Sequence, residues 1–324
     1  MVADKYATEL EKAIFNWYYG GEDAPVESVF NAFVDGLDND MQVLVPFEPS
    51  AQMMEMIGNP EEAKVGDTFT SREDIGISFR HLPAEEEGYY YIPIFTSRAE
   101  VDKGAPTSII NQSMKALIDA LDKWPKCAGF ILNPWDRKLM LTKKLLPVIC
   151  AHKKRSHITF VRGSVVDMHV GAIVNAANTS LLSGGGVDGA IHRAAGPELL
   201  NECRMLNGCR TGDAKITKAY NITHADYIIH AVGPVYRGKP KNATDLASCY
   251  TKSLDLARAN NCSSIAFPGI STGIYGYPLD EAAEVSLNAI TEWLNAHQDI
   301  VMNLYICCFR DAEYDEYVKL AGRY

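Results

Sequence analysis

No apolar run in this 324-residue chain approaches the ~18 residues that a helix needs to cross a bilayer, so no membrane span is expected. Basic residues are outnumbered, 31 against 41, leaving a net charge of −10. The deficit holds in both halves: residues 1–155 carry 17 basic and 24 acidic side chains, and residues 156–324 carry 14 and 17. A general nucleic-acid binder needs the opposite balance, and so does a protein held on anionic membrane. The eight cysteines have no even spacing and no CxxC pair, which fits a reducing cytosol better than a disulfide framework. Cys203 and Cys209 have no histidine pair at ligand spacing, so no zinc site is expected. The stretch MVADKYATELEKAIF has acids and no apolar core with a cleavage site; no signal peptide and a cytoplasmic location are therefore expected. Internal repeats and low-complexity segments are absent as well.

What is present suits about two packed domains, since 47% of the residues are hydrophobic. A short polar and basic break, AHKKRSH, begins at residue 151. It predicts domains at 1–150 and 157–324 joined by a linker at 151–156. The first half reads as α+β. Leu10, Ile14, Phe15, Trp17 and Tyr18 fall at near-helical spacing over residues 5–19, and Val26–Leu37 continues as a second helix. Strands are expected at Met41–Pro46, Tyr89–Phe95 and Gly129–Leu132, with an amphipathic helix through Met114, Leu117, Ile118 and Leu121 that stops before Pro125. Ser97 and Glu100 have the spacing of a helix-entry capping box.

The second half alternates. Short apolar runs at Ile158–Val161, Ala172–Val174, Tyr227–Val232, Ile265–Phe267 and Leu304–Phe309 are separated by helix-like stretches near 188–206, 243–260, 280–297 and 312–320. Such alternation predicts an α/β fold with a mostly parallel sheet and helices on both faces. Cys307 and Cys308 lie inside the last apolar run and read as buried packing. Ligands of such sheets bind at the carboxyl ends of the strands, and two glycine loops fall there. One follows Ala172–Val174 and runs NAANTSLLSGGGVDGAIH; the other follows Ile265–Phe267 and runs GISTGIYG. Glycines admit an anion close to the backbone, and a helix start points free N–H groups at it. Two such loops suit a diphosphate held from both sides.

In this setting Asp188, just past the glycines, either serves the helix N-terminus or orients and deprotonates a water. Asn178 has the donors and acceptor to orient hydroxyls of a ligand. Asn175 is open between a site role and satisfying loop backbone. His192 shares a helical face with Asp188, either as a core histidine or as a supporting group. Tyr275 is open between closing over a ligand and half-buried packing, and Phe309 between stacking on a planar ring and core packing.

Two family resemblances overlay this reading. The blocks VLVP, IPIFTSRAEV and GFILNPW, with a helix before the last, resemble the SseB family over most of 37–135, which implies a small α+β domain without an established catalytic site. The text VRGSVVDMHVGAIVNAAN, SGGGVDGAIHRAAG, ELLNECRMLNGCRTGDAKITKAY, YIIHAVGPVY and SIAFPGISTGIYGYP resembles a macrodomain of the MacroD type over nearly all of 157–324. The resemblance implies a three-layer α/β/α sandwich that binds ADP-ribose. The residues it assigns to binding are Gly163, Ser164, Val165, Asn175, Ala176, Gly184, Gly185, Gly186, Val187, Ser271, Thr272, Gly273, Ile274, Tyr275 and Phe309, with Asn178 and Asp188 as the catalytic pair. It implies hydrolysis of ADP-ribosyl esters, either mono-ADP-ribose on acidic protein side chains or O-acetyl-ADP-ribose, with no metal and no cofactor. The alternative is a non-catalytic ADP-ribose reader that recruits a partner through residues 1–150.

Two positions depart from the family pattern. Ser164 stands where the family has an aspartate that accepts a hydrogen bond from adenine, and Ser183 stands in place of the first of four glycines. A hydroxyl is a weaker, uncharged acceptor, and Asp167 lies three residues further on.

Overall fold

The computed structural model describes residues 4–20, 26–50 and 78–321. Its internal contacts divide the chain into two compact units, Met1–Phe15 with Val29–Lys154, and Asn16–Ser28 with Arg155–Tyr324. Among the described residues no helix is long and apolar enough to cross a membrane.

The first unit is α+β. Helix α1 (Lys5–Gly20) contributes its first turns, followed by α2 (Glu27–Asp38). One sheet pairs β1 (Gln42–Glu48) antiparallel with β2 (Ser78–Phe79) and β5 (Ser108–Ser113). A second has the order β3 (Leu82–Pro83), β4 (Tyr90–Ile94), β6 (Cys127–Leu132), β7 (Leu139–Thr142), in which only β4 and β6 run parallel. Helix α3 (Arg98–Val101) begins at Ser97, whose hydroxyl accepts from the Glu100 N–H at 3.3 Å, as the capping pattern predicts. Helices α4 (Met114–Ala120) and α5 (Leu146–Cys150) complete this unit, around a core that includes Phe33, Val43, Phe130 and Leu141. Strand β5 has little apolar content, SIINQS, which is why its sequence gave no strand signal.

The second unit is a three-layer α/β/α sandwich. Its strands are β8 (His157–Arg162), β9 (Val170–Ala176), β10 (Ala214–Lys218), β11 (Ala225–Ala231), β12 (Ser264–Pro268) and β13 (Asn303–Cys308), in the order β10-β11-β9-β12-β13-β8. All neighbours run parallel except the edge strand β10, which is antiparallel to β11. Side chains alternate across a strand, and that alternation builds two cores. Ala172, Val174, Ile265, Phe267, Leu304 and Ile306 face one core with helices α8 (Pro240–Ala259), α9 (Leu279–Ala296) and α10 (Asp311–Ala321). Ile173, Ile228, Ala266, Tyr305 and Cys307 face the other with α6 (Gly186–Ala195) and α7 (Pro197–Met205). Cys307 and Cys308 are both buried, and burial pushes both thiols up, Cys308 to about 12. The single helix expected near 188–206 is two, because Gly196 at φ +84 ends α6 and Pro197 opens α7. Strand β10 went unread in the sequence, since its text AKITK is half polar and lies at the edge.

Candidate functional site

Parallel strands deliver their carboxyl ends to one edge of the sheet, and the loops after β8, β9, β12 and β13 gather there. The loop after β9 ends at Gly185, the N-cap of α6, where no side chain caps the helix. The first N–H groups of a helix have no partner within it, so this end is equipped for an anion. The loop after β12 faces it: a side-chain carbon at Gly185 would lie 3.9 Å from Ile274 Cδ1. The two glycine loops therefore form opposite walls of one cleft. Ile274 is almost fully exposed there, and Tyr275 is half-buried with its carbonyl accepting from the Tyr236 N–H at 2.9 Å. Ser271 is buried at φ +66, and its carbonyl accepts from the Tyr277 N–H at 3.0 Å.

Asp188 stands in the first turn of α6 and is buried. Its Oδ1 accepts from Asn175 Nδ2 at 2.7 Å, while no described protein group donates to its Oδ2. Gly184 locates that second oxygen. A methyl there would lie 3.0 Å from Asp188 Oδ2 and 3.3 Å from Asn178 Nδ2, so carboxylate, amide and glycine converge. Burial raises the Asp188 carboxyl above its ordinary value; the Asn175 hydrogen bond and the nearby His192 pull the other way without reversing it. The result is a carboxylate that is a stronger base than an exposed one.

The two asparagines divide the work differently from their sequence reading. Asn175 is fully buried, and its two amide protons go to Asp188 Oδ1 and, at 3.1 Å, to His230 Nδ1. That leaves the His230 proton on Nε2, which lies 3.0 Å from Thr217 Oγ1. Asn178 is the one that satisfies loop backbone. Its Oδ1 accepts from the Ser180 N–H at 2.9 Å and hydroxyl at 2.6 Å, and its Nδ2 donates to the Ser183 carbonyl at 3.0 Å. Ser183 itself sits at φ +71, a conformation in which the family's glycine costs less.

His192 Nε2 lies 3.5 Å from Asp188 Oδ1 without a hydrogen-bond partner, and burial lowers its pKa. The expectation that Cys203 lacks a histidine pair is corrected by the fold. His192 of α6, Cys203 of α7 and His230 of β11 bring ligand atoms within 4.8 Å of one another. Sequence spacing missed them because three separate elements supply them. Burial drives this trio toward its neutral forms, lowering His230 to about 3 and raising the Cys203 thiol to about 11. Both His230 nitrogens are already in the Asn175 and Thr217 hydrogen bonds, so the trio reads as a polar brace behind Asp188.

At the other end, Val165 is buried and Val187 packs partly against the same core, so what they offer a ligand is backbone. Ser164 is committed as well. Its hydroxyl accepts from the Val166 N–H at 3.2 Å and caps a 3₁₀ turn, Val165–Asp167, and Asp167 is exposed. Phe309 is 81% exposed, which removes core packing from its two readings.

Comparison with known proteins places this geometry. The family described as Macro domain matches residues 174–286. A macro domain-containing protein of Chlorobaculum tepidum is 52% identical over 160 residues, which span 92% of that protein and 49% of this chain. The chain belongs to the macro domain family. The Oceanobacillus iheyensis macrodomain solved with ADP has a TM-score of 0.50 and 38% identity, covering 53% of this chain and 94% of that one. ADP-ribose glycohydrolase MACROD1 of Bos taurus is 53% identical over 169 residues, 52% of each chain. ADP-ribose glycohydrolase MACROD2 of Xenopus laevis is 52% identical over 164 residues, 50% of this chain and 39% of its own length. This macrodomain chain thus spans about half or less of those two relatives.

Proposed function

We propose that this macrodomain chain hydrolyses ADP-ribosyl esters, releasing ADP-ribose from acidic protein side chains or acetate from O-acetyl-ADP-ribose. The carrying observation is Asp188: a buried carboxylate with one oxygen anchored by Asn175 and the other directed at Gly184 and Asn178, at an uncapped helix start. Relatives named ADP-ribose glycohydrolases support the same chemistry. The diphosphate lies between the N-terminus of α6 and the Ser271–Ile274 loop, held mainly by backbone N–H groups. Asn178 spends one Nδ2 proton on the Ser183 carbonyl, and its second, on the Gly184 side, orients the distal ribose. Asp188 takes a proton from water as the water oxygen attacks the ester carbon; the ester C–O bond breaks, and Asp188 returns the proton to the leaving oxygen, so that ADP-ribose and a carboxylic acid leave and the carboxylate is regenerated. No cofactor takes part, and the Asp188 route calls for no metal. Eight free thiols suit the cytoplasm as the working compartment.

Incubation with a mono-ADP-ribosylated carboxylate substrate should release free ADP-ribose, followed by chromatography. A second reading, an ADP-ribose reader recruiting a partner through its SseB-like first unit, is favoured by the depth of Asp188, whose side chain is only 5% exposed. Saturable ADP-ribose binding with no release from any ester would select it.

Gly184→Ala gives a separate check. The added methyl lies 3.0 Å from the free carboxylate oxygen and displaces it or the water beside it. Misplacement of this kind is worth on the order of 10²-fold. We expect kcat/KM to fall by about that factor with an unchanged circular dichroism spectrum; an undiminished rate would show that no reacting group occupies this gap.

A further inference from the structure

The second unit takes in a segment from far outside its main stretch. The last turns of α1 belong to it, from Asn16 onward. Asn16 pins them there: its Nδ2 donates to the His169 carbonyl at 2.6 Å, and its Oδ1 accepts from the His169 N–H at 3.0 Å. Three residues on, and so on the same helical face, Tyr19 lies against Gly163. A side-chain carbon on Gly163 would collide with Tyr19 Oη, Cε1 and Cζ, so glycine here lets the ring lie against the backbone without being displaced. The phenol oxygen accepts from the backbone N–H of Ser164. Partial burial, then the charge of Asp167, raises the phenol pKa, so it stays neutral at physiological pH.

The order of strand ends says what this corner does. From Asp188 the cleft crosses β9, β12, β13 and β8. Adjacent strands lie about 4.8 Å apart, so the far corner is roughly 14 Å from the carboxylate end. The anion-binding loops occupy the β9 and β12 positions, between the two ends. The Gly163 N–H donates to the Cys308 carbonyl at 2.9 Å, so the residue after Cys308, the exposed Phe309, shares the corner with Tyr19. A ligand with a diphosphate in its middle and a sugar at Asp188 would bring its planar base here, to a corner with two aromatic rings.

We propose that Tyr19 is a specificity-determining residue of this cleft, contacting the base of the nucleoside diphosphate sugar with its ring and hydroxyl. The inference rests on the ADP-ribose reading above. A phenol recognises a base differently from a carboxylate. It is neutral and carries a donor, so it makes no demand for an exocyclic amino group. Tyr19 itself therefore accepts an adenine or a hypoxanthine base with little discrimination.

The test is calorimetry on the full chain and its Tyr19→Ala and Tyr19→Phe variants, with ADP-ribose, its hypoxanthine counterpart and ribose 5-phosphate. Tyr19 is exposed enough that neither change threatens the fold. Tyr19→Ala should weaken ADP-ribose about tenfold, the scale of a lost aromatic contact plus a hydrogen bond. Tyr19→Phe should fall between it and wild type, and ribose 5-phosphate should bind all three alike. Wild type should hold the two nucleotide ligands within about threefold of each other, less than one neutral hydrogen bond. Unchanged ADP-ribose affinity in Tyr19→Ala overturns the proposal, and tighter binding does too, since the ring would then obstruct the corner. Failure of wild type to bind ADP-ribose at all would instead overturn the underlying reading.

Discussion

Asp188→Asn is expected to abolish most turnover while leaving ADP-ribose binding nearly intact. A positioned general base contributes typically about 10²–10⁴-fold, and kcat/KM should fall by that amount. Asparagine keeps the acceptor for Asn175 Nδ2, and the diphosphate contacts proposed above are backbone, so affinity should change little. The pH dependence has a defined sign. Activity needs the carboxylate, and burial raises its pKa above the ordinary 3.8, so the acidic limb of kcat/KM should lie above the usual carboxylate range. The same shift acts on stability. A carboxyl whose folded pKa is raised stabilises the fold below its unfolded pKa, and that contribution is lost as pH rises through the folded value. At neutral pH the ionised Asp188 is therefore a burden, and Asp188→Asn should unfold at a higher temperature than wild type at pH 7, with the gap closing toward pH 4. Full activity in Asp188→Asn would reject the assigned role, and a lower melting temperature at pH 7 would reject the electrostatic account.

Asn175→Leu is expected to cost more stability than any change at the cleft surface. Asn175 is fully buried and donates the hydrogen bonds that Asp188 Oδ1 and His230 Nδ1 accept. Leucine conserves volume and removes both donors, leaving a buried carboxylate oxygen and a buried imidazole nitrogen without partners. The loss should be about 3 kcal/mol in denaturant unfolding. The Asn175 hydrogen bond also lowers the Asp188 pKa, so its removal should push the acidic limb of the rate profile higher still. A double-mutant cycle separates the two partners. In the Asp188→Asn background, Asn175→Leu should cost clearly less, because no charge is left stranded. Equal costs in both backgrounds would mean that Asn175 acts through packing alone.

Much of this protein was legible from local pattern. The strand–helix alternation of the second half, the glycine loops at strand ends and Asp188 in the first turn of a helix all follow from residue type and spacing. The edge strands β5 and β10 were not, because an edge strand buries little and its text, SIINQS or AKITK, carries little apolar signal. The asparagines illustrate a subtler limit. Asn175 and Asn178 differ by three positions, and sequence offered no reason to send one into the core and the other to the loop. The pleat decides it: Asn175 is the penultimate residue of β9, in register with His230 of β11, whereas Asn178 has left the strand.

By itself, then, the sequence determined the α/β class of the second half, the two glycine loops at strand ends and the identity of the candidate base, because each depends on hydrophobic period, glycine placement and neighbours within one helical turn. Only the tertiary structure decided what surrounds that base and what lies at the far end of the cleft. The Asp188–Asn175–His230–Thr217 chain joins a helix and three strands, and Tyr19 meets Gly163 across 144 residues of chain. Such contacts are fixed by strand order and helix docking, which bring residues together at distances that no local spacing encodes.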